Sequence, residues 1–232
     1  MRIKNSSKEK IDKNFITVIN LLKKNKISYW LCHGTLLGII RDNKLIPWDH
    51  DIDIAVWHKK NIRSKFKKLL IKEDFKLKKK YFIKDDLLTF VKKGGREVDI
   101  NFYHKKIIES KQMAYVKWFV PKNSFLKTID AISVAEIYRG KFDFLINRLK
   151  FISPIFHLFK IILIKNNLFY KTVGYTQPLN LLKDFKIIKF KNLKVLVPVL
   201  SKNYLEYVYG FNWKSPIKSF NWLKDSPSVK KI

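Results

Sequence analysis

Asp51-Ile52-Asp53 lies in a run where Ile52, Ile54 and Val56 alternate with Asp51, Asp53 and Ala55. Successive side chains of a strand point to opposite faces. The apolar set therefore enters a core while Asp51 and Asp53 project together from the other side. A second run repeats the pattern: Val98, Ile100 and Phe102 alternate with Glu97, Asp99 and Asn101. Neighbouring strands in one sheet would bring Asp51, Asp53 and Asp99 together. Three crowded carboxylates repel one another strongly without a cation. Their hard oxygen donors suit Mg²⁺ or Mn²⁺, which commonly shares its shell with substrate phosphate oxygens. Such ions stabilise the attacking and leaving oxygens of a displacement at phosphorus. Asp51, Asp53 and Asp99 are thus the expected catalytic residues and metal ligands.

Gly34-Thr35 follows a strand read over Ile27–Cys32 and precedes a short helix read over Leu36–Ile40. A glycine at a strand-to-helix turn lets backbone amides approach a phosphate, and a helix N-terminus favours its charge. By itself the dipeptide reads equally as an ordinary helix cap. Asp49 is either a supporting metal ligand or a strand-end cap. Arg41 is either a partner for phosphate charge or a structural arginine, and Trp48 is expected to pack against the acid-bearing strand. With Gly34 and Thr35, these residues form the candidate substrate-binding set.

The elements that must position these groups are legible in outline. Ser6 and Glu9 suggest a capping box for a first helix carrying Ile11, Phe15, Val18, Ile19 and Leu22 at helical spacing. Lys59–Lys72 reads as a basic amphipathic helix. Strands follow at Phe75–Ile83 and Leu87–Lys92, and Gly94-Gly95 marks a hairpin. Met113–Val120 reads as a strand, Ser133–Tyr138 as a helix, and Phe142–Lys165 as an apolar and basic stretch interrupted by Pro154. Phe185–Phe190 and Leu193–Val197 suggest a second hairpin. Asn203–Tyr209 reads as a helix stopped by Gly210, and Phe211–Ile232 has no clear period. The class is α+β: a mixed sheet flanked by helices over residues 1–130, with a helical and hairpin extension over 131–232, all within one domain.

Composition sets the outer limits. A chain of 232 residues that is 47% apolar fills a core, and seven Gly with seven Pro exclude a low-complexity chain. Cys32 is the single cysteine, which excludes an intramolecular disulfide framework and a cysteine-rich zinc site. Forty-nine Lys and Arg against 19 Asp and Glu give a net charge of +30, a field that attracts polyanions. An AT-rich genome accounts for much of the lysine. A nucleic-acid-binding module is the competing class, but the cations are spread along the whole chain and the acid cluster would repel a phosphate backbone. Lys150–Lys171 mixes Phe, Ile and Leu with lysine. It reads either as a core helix with a basic edge or as a segment lying on an anionic membrane. The start of the chain is polar and no apolar run is long enough to span a membrane, so the cytoplasm is the expected location.

The order of these signals (strand, Gly-Thr turn, Asp-apolar-Asp-apolar, later strand acid) resembles the nucleotidyltransferase fold. The finer text His33-Gly34-Thr35-Leu36-Leu37-Gly38-Ile39-Ile40-Arg41, with Ile46-Pro47-Trp48-Asp49-His50-Asp51-Ile52-Asp53-Ile54, resembles the LicD/fukutin family. Arg96–Ile100, the hairpin up to Pro198, and Tyr204–Gly210 with Trp213 and Pro216 fit it as well. The resemblance implies metal-dependent transfer of a phosphate-linked group from a CDP-activated donor to a glycan hydroxyl, releasing CMP. Phosphocholine from CDP-choline is the leading donor, with phosphoribitol, phosphoglycerol or true nucleotidyl transfer as alternatives. Lipopolysaccharide, capsule or teichoic acid would be the acceptor. In this role Asp99 would also orient or deprotonate the acceptor hydroxyl. His50 stands where the family usually carries another acid.

Overall fold

A computed structural model describes residues 11–78, 85–133, 138 and 142–231. In chain order it contains α1 (Lys13–Lys24), β1 (Trp30–Leu31), α2 (His33–Asp42), β2 (Asp51–Trp57), α3 (Ile62–Lys72) and β3 (Lys76–Leu77). Next come β4 (Leu87–Val91), β5 (Glu97–Ile108), β6 (Lys111–Pro121), α4 (Ser124–Ser133), α5 (Asp143–Arg148) and α6 (Ser153–Lys165). The chain closes with β7 (Tyr170–Pro178), β8 (Phe185–Phe190), β9 (Leu193–Pro198), α7 (Ser201–Tyr209), α8 (Trp222–Asp225) and β10 (Val229–Lys231). This is the expected α+β class. The described residues gather into two compact units. One holds α1 to β5, the start of β6, the end of β7, and β8 to α8; the other holds α4, α5, α6 and the adjoining ends of β6 and β7.

The first unit is organised by β2 and β5, which run parallel with Asp51 opposite Glu97, Asp53 opposite Asp99 and Ala55 opposite Asn101. Antiparallel β1 covers the other edge of β2, with Trp30 opposite Ala55, and antiparallel β4 flanks β5, with Thr89 opposite Asp99. The sheet is therefore mixed. Residues 52–56 of β2 are all buried, so both faces of this strand are covered. The expectation of one packed face and one open acidic face is too simple. Helix α2 packs on β2, and Asp53 lies beneath it, buried.

Local chemistry explains the other elements. Helix α1 is capped by Asp12, whose Oδ1 accepts from the amides of Asn14 and Phe15 at 2.9 and 3.1 Å. The expected Ser6–Glu9 cap lies outside the described residues. Phe15, Val18, Ile19 and Leu22 are buried as their spacing predicts. Asn14 Nδ2 donates to the carbonyls of Lys92 and Arg96 at 2.9 and 2.8 Å, which pins the β4–β5 turn to the helix. Gly95 belongs in that turn because a Cβ there would overlap the Asn14 side chain. Of the Ile27–Cys32 strand only Trp30 and Leu31 pair, because Cys32 leads directly into a helix that begins at His33, earlier than expected. The second hairpin forms with Phe185 opposite Pro198 and Phe190 opposite Leu193.

Strand β5 runs on to Ile108 and turns into β6 through Glu109 and Ser110, both at positive φ. Non-glycine residues fill that turn, so no glycine signal announced it. Strand β7 was not expected either. The expected strand over 75–83 and helix over 133–138 fall largely outside the described residues. Pro154 sits in the first turn of α6, where its missing amide is harmless, so it opens a helix instead of interrupting one.

The second unit packs α4 and α6 around Leu126, Ile129 and Phe169, with Phe156, Leu163 and Ile164 against them. Lys160 Nζ lies 2.6 Å from Asp130 Oδ1 inside this unit, and Tyr170 donates to the same oxygen at 3.0 Å.

Candidate active site

Asp49, Asp51 and Asp53 each present an oxygen within 4.8 Å of the others. Asp51 and Asp53 reach this position by the period-2 geometry of β2. Asp49 comes from the preceding loop, where its Oδ1 accepts from the His50 amide at 3.1 Å. The sequence reading left Asp49 between ligand and cap; here its carboxylate both stands in the trio and accepts from a neighbouring amide. Asp99 had been expected as the third member of the group. It lies on β5 at the register position beside Asp53, and its charge acts on Asp53, while the tight trio takes Asp49.

Burial and mutual repulsion favour the protonated forms of Asp51 and Asp53. Burial, then the Asp49 carboxylate, pushes the Asp51 pKa up to about 7. Burial, then Asp51, Asp49 and Asp99, pushes Asp53 well above the usual carboxylate range. Each of these effects penalises the anion, and a divalent cation would reverse the penalty. The donor set is all carboxylate oxygen, which fits a hard ion such as Mg²⁺ or Mn²⁺.

Gly34 and Thr35 serve this trio directly. A Cβ at Gly34 would overlap Asp49 Oδ2 and touch Asp53 Oδ2 at 3.4 Å. The glycine is thus required by a close approach of carboxylates. Thr35 is buried, its hydroxyl accepts from the Asp53 amide at 2.8 Å, and its own amide donates to Asp53 Oδ2 at 3.3 Å. This reciprocal pair ties the start of α2 to β2 and aims the positive end of the helix at the acids. The Thr35 hydroxyl, expected at a phosphate, accepts from the Asp53 amide and so keeps its own proton to donate.

Two other candidates have different partners. Arg41 forks onto Asp42 through Nε at 3.0 Å and Nη2 at 2.8 Å. It lies two helical turns beyond Gly34, about 10 Å along α2. Trp48 is 36% exposed, with Lys218 Nζ 5.6 Å over its ring. His50 is exposed, and its carbonyl accepts from the Glu97 amide at 3.1 Å.

Sequence reasoning missed an aromatic wall beside the acids. His33, at φ 45°, stacks on Tyr175 with centroids 4.5 Å apart, and its Nε2 lies 3.2 Å from the Tyr103 hydroxyl. Burial lowers the His33 pKa to about 3, so the ring is neutral at physiological pH. Burial, then the Asp53 charge, raises the Tyr175 phenol; burial, then Tyr175, Asp53 and Tyr204, raises that of Tyr209. Tyr204 and Tyr209 stand in the closing motif already singled out, whereas nothing local marked Tyr103 or Tyr175.

A carboxylate trio at the end of a mixed-sheet strand, beside a Gly-Thr turn entering a helix, is the arrangement expected above of a nucleotidyltransferase-type domain. The sequence profile of the LicD/FKTN/FKRP nucleotidyltransferase domain matches residues 26–138, a stretch that holds all four acids and belongs to that family. Human ribitol-5-phosphate transferase FKTN is 25% identical over 213 residues, 90% of this chain and 34% of that protein. A protein of Rickettsia typhi is 41% identical over 86 residues, 37% of this chain and 26% of its own length. The chain thus spans about a quarter to a third of these relatives. Among solved structures, a lincosamide antibiotic adenylyltransferase with bound lincomycin is 12% identical, with a TM-score of 0.39 over 81% of this chain and 80% of that one.

Proposed function

We propose that this chain is a metal-dependent phosphotransferase that moves an alditol phosphate from a CDP-activated donor to a hydroxyl of a cell-surface glycan. The observation that carries this reading is the Asp49–Asp51–Asp53 trio, with Asp99 on the adjoining strand. FKTN, similar over 90% of this chain, is named as a ribitol-5-phosphate transferase, which favours an alditol phosphate over the phosphocholine expected from sequence. Asp51 and Asp53, with Asp49, would hold Mg²⁺ or Mn²⁺. Bound there, the ion supplies charge neutralisation for the donor pyrophosphate. Asp99 is assigned to the acceptor hydroxyl, which it orients or deprotonates. The new phosphodiester bond forms as the bond to CMP breaks, and the hydroxyl proton leaves through the base. Thr35 and Gly34 act by positioning the acids.

The test is CMP release from CDP-ribitol, CDP-glycerol, CDP-choline and CDP-ethanolamine, with and without divalent metal and glycan acceptor. Metal-dependent release from a CDP-alditol is expected, with Asp51→Asn and Asp53→Asn each losing more than about a hundredfold in kcat. Preference for CDP-choline would overturn the donor assignment and keep the reaction class. Pyrophosphate release from a nucleoside triphosphate, with the nucleotide left on the acceptor, would replace group transfer by nucleotidyl transfer. Full activity after exhaustive chelation would end the metal role.

A further inference from the structure

We propose that the outer face of α6 docks the protein on an anionic lipid bilayer. An ordinary surface helix has one apolar stripe and one polar face. Helix α6 is apolar on both sides. Its inner side sends Phe156, Leu163 and Ile164 into the second unit's core. The outer side, continued from the preceding turn, presents Phe151 at 77% exposure, Ile155 at 69%, Leu158 at 63%, Phe159 at 44% and Ile162 at 52%. Residues 151, 155, 158 and 162 are spaced by four, three and four, which places them on one helical stripe. An exposed apolar stripe of this kind marks a surface that is covered in use.

Charge selects the occupant. Between residues 142 and 171 there are five cations (Arg148, Lys150, Lys160, Lys165 and Lys171) and one acid, Asp143. Lys160 is spent on Asp130, while Arg148, Lys165 and Lys171 are exposed. Apolar residues flanked by exposed cations match an interface of acyl chains beneath anionic headgroups. A second copy of the chain fits poorly, because each copy carries +30 and the contact would set like charges together. Length fixes the mode of contact. At 13 residues α6 is about 20 Å long, shorter than a bilayer core, and no described helix is long and apolar enough to cross a membrane. The helix lies along the interface.

The experiment must separate insertion of this stripe from adsorption of a strongly basic protein. The full chain is labelled at Leu158→Cys with an environment-sensitive fluorophore, and separately at Ile187→Cys on the exposed side of the β8–β9 hairpin. The native Cys32 is buried and does not compete for label. Vesicles of phosphatidylcholine alone and of phosphatidylcholine with phosphatidylglycerol are compared at low and high salt. The expected result is a blue shift at position 158 alone, on anionic vesicles, partly persisting in high salt. The double variant Phe151→Ser/Leu158→Ser, exposed and therefore neutral to folding, should bind at least about tenfold more weakly. Phe151→Leu should retain binding. Sedimentation with no shift at position 158 and no loss in the double variant would reduce the effect to charge adsorption and overturn the proposal. So would binding to neither vesicle, or a dimer in light scattering that the double variant dissolves.

Discussion

The charges of Asp51 and Asp53 are opposed by their neighbours, so proton and metal would compete for the same oxygens. In the unfolded chain Asp51 titrates near the ordinary carboxylate value of 3.8, and in the folded chain at about 7. Between those values the folded state holds the extra proton. Asp51 therefore favours folding at low pH, and that contribution is lost as pH rises through 7 in the absence of metal. His33 acts in the opposite sense. Its pKa falls from 6.5 to about 3 on folding, so its contribution is present above 6.5 and lost as pH falls towards 3. A divalent ion needs the carboxylates ionised. The thermal shift produced by Mg²⁺ should thus be large at pH 8 and shrink steadily towards pH 5, measured by scanning fluorimetry. A metal shift that does not depend on pH would remove the trio as the ligand set. Gly34→Ala tests the same packing sterically. The new methyl displaces Asp49, so metal affinity should fall at least about tenfold, read by calorimetry, with the circular dichroism spectrum unchanged.

At the scale of elements, the site depends on the strap between α2 and β2. Thr35→Val leaves the Asp53 amide without its acceptor in a buried setting and should cost about 1–3 kcal/mol. Thr35→Ser keeps the oxygen and should recover most of that loss in urea titrations. Equal stability of the two variants would show that the strap carries no weight. In the second unit Asp130 is the counterion of buried Lys160. Removing one partner of a fully buried pair costs roughly 3–5 kcal/mol, and less where one side is partly exposed. Asp130→Asn should accordingly lower stability by about 2 kcal/mol, with part of it regained in the double variant Asp130→Asn/Lys160→Met. Element identities at this scale were largely legible. Strand β2 runs over 51–57 as its alternation predicts, and helix α7 ends at Gly210. The long end of β5 was not legible because the Glu109–Ser110 turn into β6 carries no Gly or Pro, and β7 was not because its partners β6 and β10 are distant in sequence.

For the whole molecule, +30 of charge says that polyanions are attracted and leaves open which ones. The site adds a locally acidic spot in that basic field, suited to a phosphate-bearing donor once a cation is in place. The sequence by itself determined what period and residue type dictate: which acids share a strand face and where α7 stops. Alternation along a strand is a local property and needs no partner to be read. Only the tertiary structure decided that Asp49 joins Asp51 and Asp53, that Thr35 is tied to Asp53, and that Tyr103 and Tyr175 wall the site. It also decided that α6 is apolar on its outer side. Those outcomes depend on which strand lies beside which and on how a loop closes over a sheet. Both are set by packing between residues far apart in the chain, which local spacing does not encode.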